Sequence, residues 1–103
     1  MDSLTVLIAD DHPIFRNGLR ALLDTVPDIE VAGEATTGEE AIGQALALQP
    51  DVILMDLQMP GTGGVEATRQ ILHASPHIRV LVVTMFEPTF RSLRKRDFGV
   101  FVG

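Results

Sequence analysis

The stretch VILMDLQMPGTGG, residues 52–64, decides how this chain is read. Four apolar residues run straight into a carboxylate at Asp56, and Pro60, Gly61, Gly63 and Gly64 follow. An uninterrupted apolar run of this length suits a strand covered on both faces, which is the habit of parallel sheets. The Pro and Gly cluster predicts a tight turn directly after it. A strand that ends on an acid and opens into a stiff loop is a platform for chemistry.

Working outward, three other segments repeat the strand pattern. LTVLIA (4–9) is apolar and ends at Asp10-Asp11, IEVAGEA (29–35) is a further strand, and IRVLVVTM (78–85) ends near Thr84. Helical spacing fills the gaps. After Pro13, placed where a first helical turn tolerates it behind Asp11 or His12, the residues Ile14, Leu19, Leu22, Leu23 and Val26 recur on one face, and Pro27 stops the run. Thr37-Gly38-Glu39-Glu40 supplies a cap with acids in the first turn, ahead of Ala41, Ile42, Ala45 and Leu46. GVEATRQILHA (64–74) places Val65, Thr68, Ile71 and Leu72 inward. Alternating strands and helices predict an α/β fold, a right-handed, doubly wound parallel sheet.

Composition agrees. One domain spanning 1–103 is expected, because two domains in 103 residues would each lack a core. A hydrophobic fraction of 46% supports a dry interior. With no cysteine there is neither a disulfide framework nor a thiolate metal site. No apolar run reaches membrane-spanning length, and no charged-then-apolar leader opens the chain, so a cytoplasmic protein is expected. The net charge of −6 argues against direct nucleic-acid contact. The charge is uneven: Arg91, Arg94, Lys95 and Arg96 crowd one short segment, and Lys95 is the chain's only lysine.

In an open parallel sheet, ligands bind beyond the carboxyl ends of the strands. Asp10, Asp11, Asp56 and Thr84 are all expected at that edge. Taken alone, Asp10-Asp11 reads equally well as a helix cap. Together with Asp56 it makes three carboxylates that repel unless a cation or protons intervene. An all-oxygen set with no His or Cys partner suits Mg²⁺, which keeps waters and leaves a position for a phosphate oxygen. His73 and His77 read as surface residues and His12 as a neighbour of the acid pocket. Met55, Met59 and Met85 read as packing.

The segments LIADDHPIFRNGLRALL, DVILMDLQMPGTGGVEATRQI and VLVVTMFE resemble the receiver domain of two-component response regulators, in particular the subfamily with LuxR/NarL-type helix-turn-helix outputs. The resemblance covers residues 4 to about 87. It implies a flavodoxin-like, CheY-like fold and a switch rather than an enzyme in the usual sense. It makes Asp56 the phosphoacceptor, taking a phosphoryl group from a sensor histidine kinase. It makes Asp11, Asp56 and the main-chain carbonyl of Gln58 the Mg²⁺ ligands, with Asp10 in the same acid cluster. Thr84 becomes the hydroxyl that senses the phosphoryl oxygen.

Past Glu87 the resemblance stops, at PTFRSLRKRDFGVFVG. The family continues with a milder fourth helix, a fifth strand ending in lysine, and a fifth helix. Here the lysine position falls on Gly103 or beyond it, and no fifth helix is expected. RSLRKR reads as a basic helix, whose plain role is a solvated face and whose sharper role is a partner patch. An aberrant, frame-shifted end is the competing explanation for residues 88–103. Without a fifth helix, part of one sheet face is expected to be uncovered, favouring self-association there or through the fourth-helix face. A receiver-like interaction module that is never phosphorylated is the second functional expectation. A Mg²⁺-dependent phosphohydrolase is disfavoured, because Gln58 stands where a general acid is needed.

Overall fold

The computed structural model describes residues 3–85 and 98–102, with 84–85 and 98–102 described by backbone alone. The elements follow in the order β1 (Leu4–Ala9), α1 (Pro13–Asp24), β2 (Ile29–Ala35), α2 (Gly38–Leu48), β3 (Val52–Met55), α3 (Gly64–Ala74), β4 (Arg79–Met85) and β5 (Phe98–Val102). Among the described residues the sheet runs β2-β1-β3-β4-β5. The first four strands in that row are parallel, as the alternation of strands and helices predicts.

β5 departs from that rule. It pairs with β4 antiparallel, Met85 opposite Phe98 and Leu81 opposite Val102. The twelve residues 86–97 between the two strands are the least that a parallel crossover needs, whereas an antiparallel return starts where β4 stops.

The core sits between the sheet and α2 with α3. Leu7, Ala9, Ile53, Met55, Val80 and Val82 point to that side and meet Ala41, Ala45, Ala67 and Ile71. The four small or compact helix residues let the helices lie close to the sheet. Burying side chains such as Leu7, Ile53 and Ile71 is worth about 1.5–3 kcal/mol each. α2 is capped as its sequence suggests, with Thr37 Oγ1 accepting from the Glu40 N–H at 3.1 Å. The Glu40 carboxylate accepts in return from Thr36 N–H at 2.8 Å.

α1 covers the other face less completely. Val6 and Ile8 are buried, but Val52, Leu54, Leu81 and Val83, which alternate with the core residues, are only half-buried. α1 has no fully buried residue. Its inward stripe is Phe15, Leu19 and Leu23, all half-buried. Three residues expected on that stripe are exposed: Ile14 at 90%, Leu22, and Val26, which lies past the end of α1. Similarly, Val65 on α3 is 67% exposed, while the unremarked Ala67 is fully buried. Leu46 on α2 is also exposed, beside buried Ala45. In each case the pattern of apolar residues allows two overlapping faces, and the neighbouring element selects one.

No helix among the described residues is long and apolar enough to cross a membrane. The basic helix expected over 91–96, the fourth helix and the lysine position at 103 lie outside the described residues.

Candidate functional site

The sheet order reverses between β1 and β3, because the chain leaves β1 toward β2 on one side and returns to β3 on the other. Asp10 follows β1 and Asp56 follows β3, so both stand at this switch point, where open α/β sheets bind ligands. The ladder holds them. Asp10 N–H donates to the Ala35 carbonyl and Asp56 N–H to the Ala9 carbonyl, each at 2.9 Å. Two acids are thereby fixed on rigid backbone, and they are buried, with 4% and 5% exposure.

Each acid then folds the chain behind it into a turn. Asp10 Oδ1 accepts the His12 N–H at 2.7 Å, and Asp56 Oδ1 accepts the Gln58 N–H at 3.0 Å. This explains why both strands end on aspartate: its short side chain captures an N–H two residues on. Gly64 closes the second turn. A Cβ there would fall 2.4 Å from the Asp56 carbonyl oxygen and 2.7 Å from Leu57 Cα. Only glycine lets the start of α3 rest against the acid's backbone.

The expected acid cluster forms. Ligand-type atoms of Asp10, Asp11, His12 and Asp56 all lie within 4.8 Å of one another. His12 contributes more than the sequence suggests. Its Nδ1 stands 3.0 Å from Asp10 Oδ1, 3.1 Å from Asp11 Oδ1 and 3.4 Å from Asp56 Oδ2. No metal-ligand spacing marks it in the sequence, since it meets Asp56 only through the fold. Asp11 Oδ1 is buried and has no hydrogen-bond partner. A cavity of about 310 Å³ opens beside the cluster, lined by Asp10, His12, Ile14, Phe15, Asp56 and Val83.

The electrostatics follow from crowding. Burial pushes the Asp56 carboxyl above its ordinary value, and the nearby Asp10 and Asp11 add to it, against the opposing pull of the Gln58 N–H and His12. The hydrogen bond to Asp10 raises the His12 imidazole, with further help from the charges of Asp11 and Asp56. Both shifts describe a site short of positive charge.

Gln58 is exposed, and its N–H is already committed to Asp56. Thr84 lies near the end of β4; Met55 is in register with Val82, so Thr84 stands two residues farther toward the same edge. Its side chain lies outside the described residues.

Three supporting residues have no obvious signal in the sequence for these roles. Arg16 donates from Nη1 to the Asp10 carbonyl at 2.9 Å and from Nε to Glu34 at 2.7 Å. Arg20 also bonds Glu34. Glu39, in the first turn of α2 as expected, also accepts from Thr62 N–H at 3.0 Å and Thr62 Oγ1 at 2.8 Å, tying the loop after Asp56 to α2. An arginine one and a half turns after an acid pair is the nearest thing to a clue for Arg16.

Comparison with known proteins agrees with the geometry. The response regulator receiver domain family matches residues 6–101. The response regulator GacA of Pseudomonas aeruginosa is 45% identical over 84 residues, 82% of this chain and 39% of that protein. The response regulator protein VraR of Staphylococcus aureus is 47% identical over 98 residues, 95% of this chain and 47% of that one. The chain thus spans less than half the length of these relatives. Among solved structures, a LuxR-family two-component response regulator from an Aurantimonas species aligns with a TM-score of 0.78 at 38% identity, over 84% of this chain and 61% of that one. The signal receiver domain of the putative response regulator NarL from Mycobacterium tuberculosis aligns at 0.80 and 32% identity, over 85% and 71%. With the acids at the switch point and a family match along nearly its whole length, the chain belongs to the response regulator receiver domain family.

Proposed function

We propose that this domain is a phosphoacceptor switch in which Asp56 takes a phosphoryl group from the phosphohistidine of a sensor kinase. The observation that supports it most is the meeting of Asp10, Asp11 and Asp56 from two adjacent strand ends beside an open cavity. An oxygen of Asp56 forms the new bond to phosphorus while the bond from phosphorus to the histidine nitrogen breaks. The nitrogen keeps the electron pair. Asp56 Oδ1 is oriented by the Gln58 N–H, so the nucleophile is positioned before the partner arrives.

The donor set fits a hard divalent cation: three carboxylates converge, and a buried Asp11 oxygen has no hydrogen-bond partner. Asp10, Asp11 and Asp56 would hold Mg²⁺, with the Gln58 carbonyl as a further donor. When bound, the ion neutralises charge on the phosphoryl oxygens as they pass between partners. Thr84 is assigned as the hydroxyl that reads the phosphorylated state. In a longer protein this state would control a transcriptional output.

The test is incubation with Mg²⁺ and acetyl phosphate, followed by intact mass measurement beside Asp56→Asn. A gain of one phosphoryl, stable in acid, labile in base and absent from the variant, is expected. A folded protein that binds Mg²⁺ and gains nothing would instead favour a receiver-like interaction module.

A further inference from the structure

The two outer edges of the sheet are built differently. Among the described residues, β2 and β5 end the row of strands. The β2 edge carries devices that keep an edge from pairing with another chain. Glu30 and Glu34 are charged, and Ala32 is an extra residue in a bulge, since Val31 pairs with Val6 and Gly33 with Leu7. β5 carries none of them. Its sequence, FGVFV, holds no charge and no proline, and its register against β4 is unbroken from Phe98 to Val102. We infer that the outer edge of β5 pairs antiparallel with β5 of a second copy, joining two sheets across a two-fold axis at Val100.

Main-chain direction fixes the register. Arg79 N–H donates to the Asp51 carbonyl, just ahead of β3. Main-chain groups alternate along a strand, so Leu81 and Val83 also face β3, while Val82 and Thr84 face β5. Val82 and Thr84 stand opposite Phe101 and Gly99, which therefore use their N–H and C=O groups on β4. Phe98, Val100 and Val102 are left with theirs on the outer edge. With the two Val100 residues opposite each other, Phe98 of each copy meets Val102 of the other. Each such pair exchanges two main-chain hydrogen bonds, so every outward donor of β5 finds an acceptor. A two-fold axis at Gly99 or Phe101 would leave one outward residue of each copy unpaired.

This self-complementarity selects a second copy as the partner. No like charges oppose one another within FGVFV, and an isologous contact closes at the dimer. Self-pairing of β2 about Ala32 would instead set Glu30 against Glu34, a destabilising arrangement. The β5 contact is short, so the association is weak and reversible rather than permanent.

The chain has no cysteine, so Val100→Cys introduces a single thiol. In the paired register the two substituted residues lie about 5.5 Å apart at Cα, within disulfide reach. Glu30→Cys, on the β2 edge, is the control. Mild oxidation and non-reducing electrophoresis are expected to cross-link Val100→Cys at least about tenfold faster than Glu30→Cys. Sedimentation velocity is then run on the full chain carrying Ile14→Gln and Leu22→Gln, which removes association through α1. A monomer–dimer equilibrium is expected there, and adding Val100→Pro should abolish it. Proline at that position removes one outward N–H and keeps the bonds of Gly99 and Phe101 to β4, with circular dichroism as the folding control. Equal cross-linking rates, a monomer at every concentration, or a dimer that survives Val100→Pro would each overturn the inference. Species larger than a dimer would mean open-ended pairing of β5 on β2, and would overturn the closed pair. If Val100→Pro fails to fold, the cross-linking comparison decides alone.

Discussion

Arg16 reaches back over the turn that joins β1 to α1 and donates to the main-chain carbonyl of Asp10 at 2.9 Å. The guanidinium is held from behind by Glu34 on β2. A side chain on one element thereby anchors the backbone of the acid turn to a second strand. Removing it leaves a part-buried carbonyl without this donor and Glu34 with one arginine instead of two. Arg16→Met, which keeps an apolar stem without the guanidinium, is expected to cost about 1–3 kcal/mol in urea unfolding and to weaken Mg²⁺ binding. An unchanged midpoint would show that Arg16 is dispensable.

Glu34 also sets a pH dependence. Burial alone would raise its carboxyl, but the hydrogen bonds from Arg20 and Arg16 outweigh that and hold it below its ordinary value. A depressed folded-state pKa means that the unfolded chain binds the extra proton. The stabilisation is therefore complete above the ordinary glutamate value and is lost as pH falls through the depressed one. Glu34→Gln should be less stable than wild type at neutral pH, with the gap closing in acid. A constant gap from pH 7 to pH 3 would refute the ion-pair account.

At Asp56 the sign reverses. Its carboxyl is raised by burial and by its acidic neighbours, so its ionised form opposes folding at neutral pH when no cation is present. Asp56→Asn should raise the metal-free melting temperature. Millimolar Mg²⁺ should stabilise wild type and leave the variant almost unmoved. A metal-free variant that melts below wild type would contradict this.

Two glycines make a matched pair. Gly64 has backbone atoms where a Cβ would go, and backbone cannot swing aside, so Gly64→Ala should cost about 1–3 kcal/mol and slow phosphorylation. Gly18, inside α1, has nothing within 4 Å of the same position. Gly18→Ala should gain about 0.5–1 kcal/mol through helix propensity. Equal effects at the two sites in chemical denaturation would show that close approach at Gly64 is not what matters.

The α1 side of the sheet predicts association. Leu54, Leu81 and Val83 are half-buried there, and Ile14 and Leu22 on α1 are exposed. Sedimentation velocity across a concentration series should show reversible self-association that Ile14→Gln with Leu22→Gln weakens. A single monomeric species at every concentration would rule it out.

Much of this was legible in the residues themselves. Apolar runs at 4–9, 52–55 and 79–85, separated by helical spacing, left a parallel sheet as the economical arrangement. Parallel strands carry their carboxyl ends to one edge, which put Asp10, Asp11 and Asp56 on the same side of the sheet. The Pro and Gly residues after Asp56 announced its turn. These inferences need only local pattern and chain direction. Tertiary structure decided the rest. It turned Ile14 and Val65 outward and Ala67 inward, because each helix's buried face depends on the neighbour it meets. It sent β5 back antiparallel, and it linked Asp10 to Glu34 through Arg16. It placed the His12 ring against Asp56, 44 positions away in sequence. Such contacts join residues that no short-range period connects, and their geometry exists only once the strands have paired.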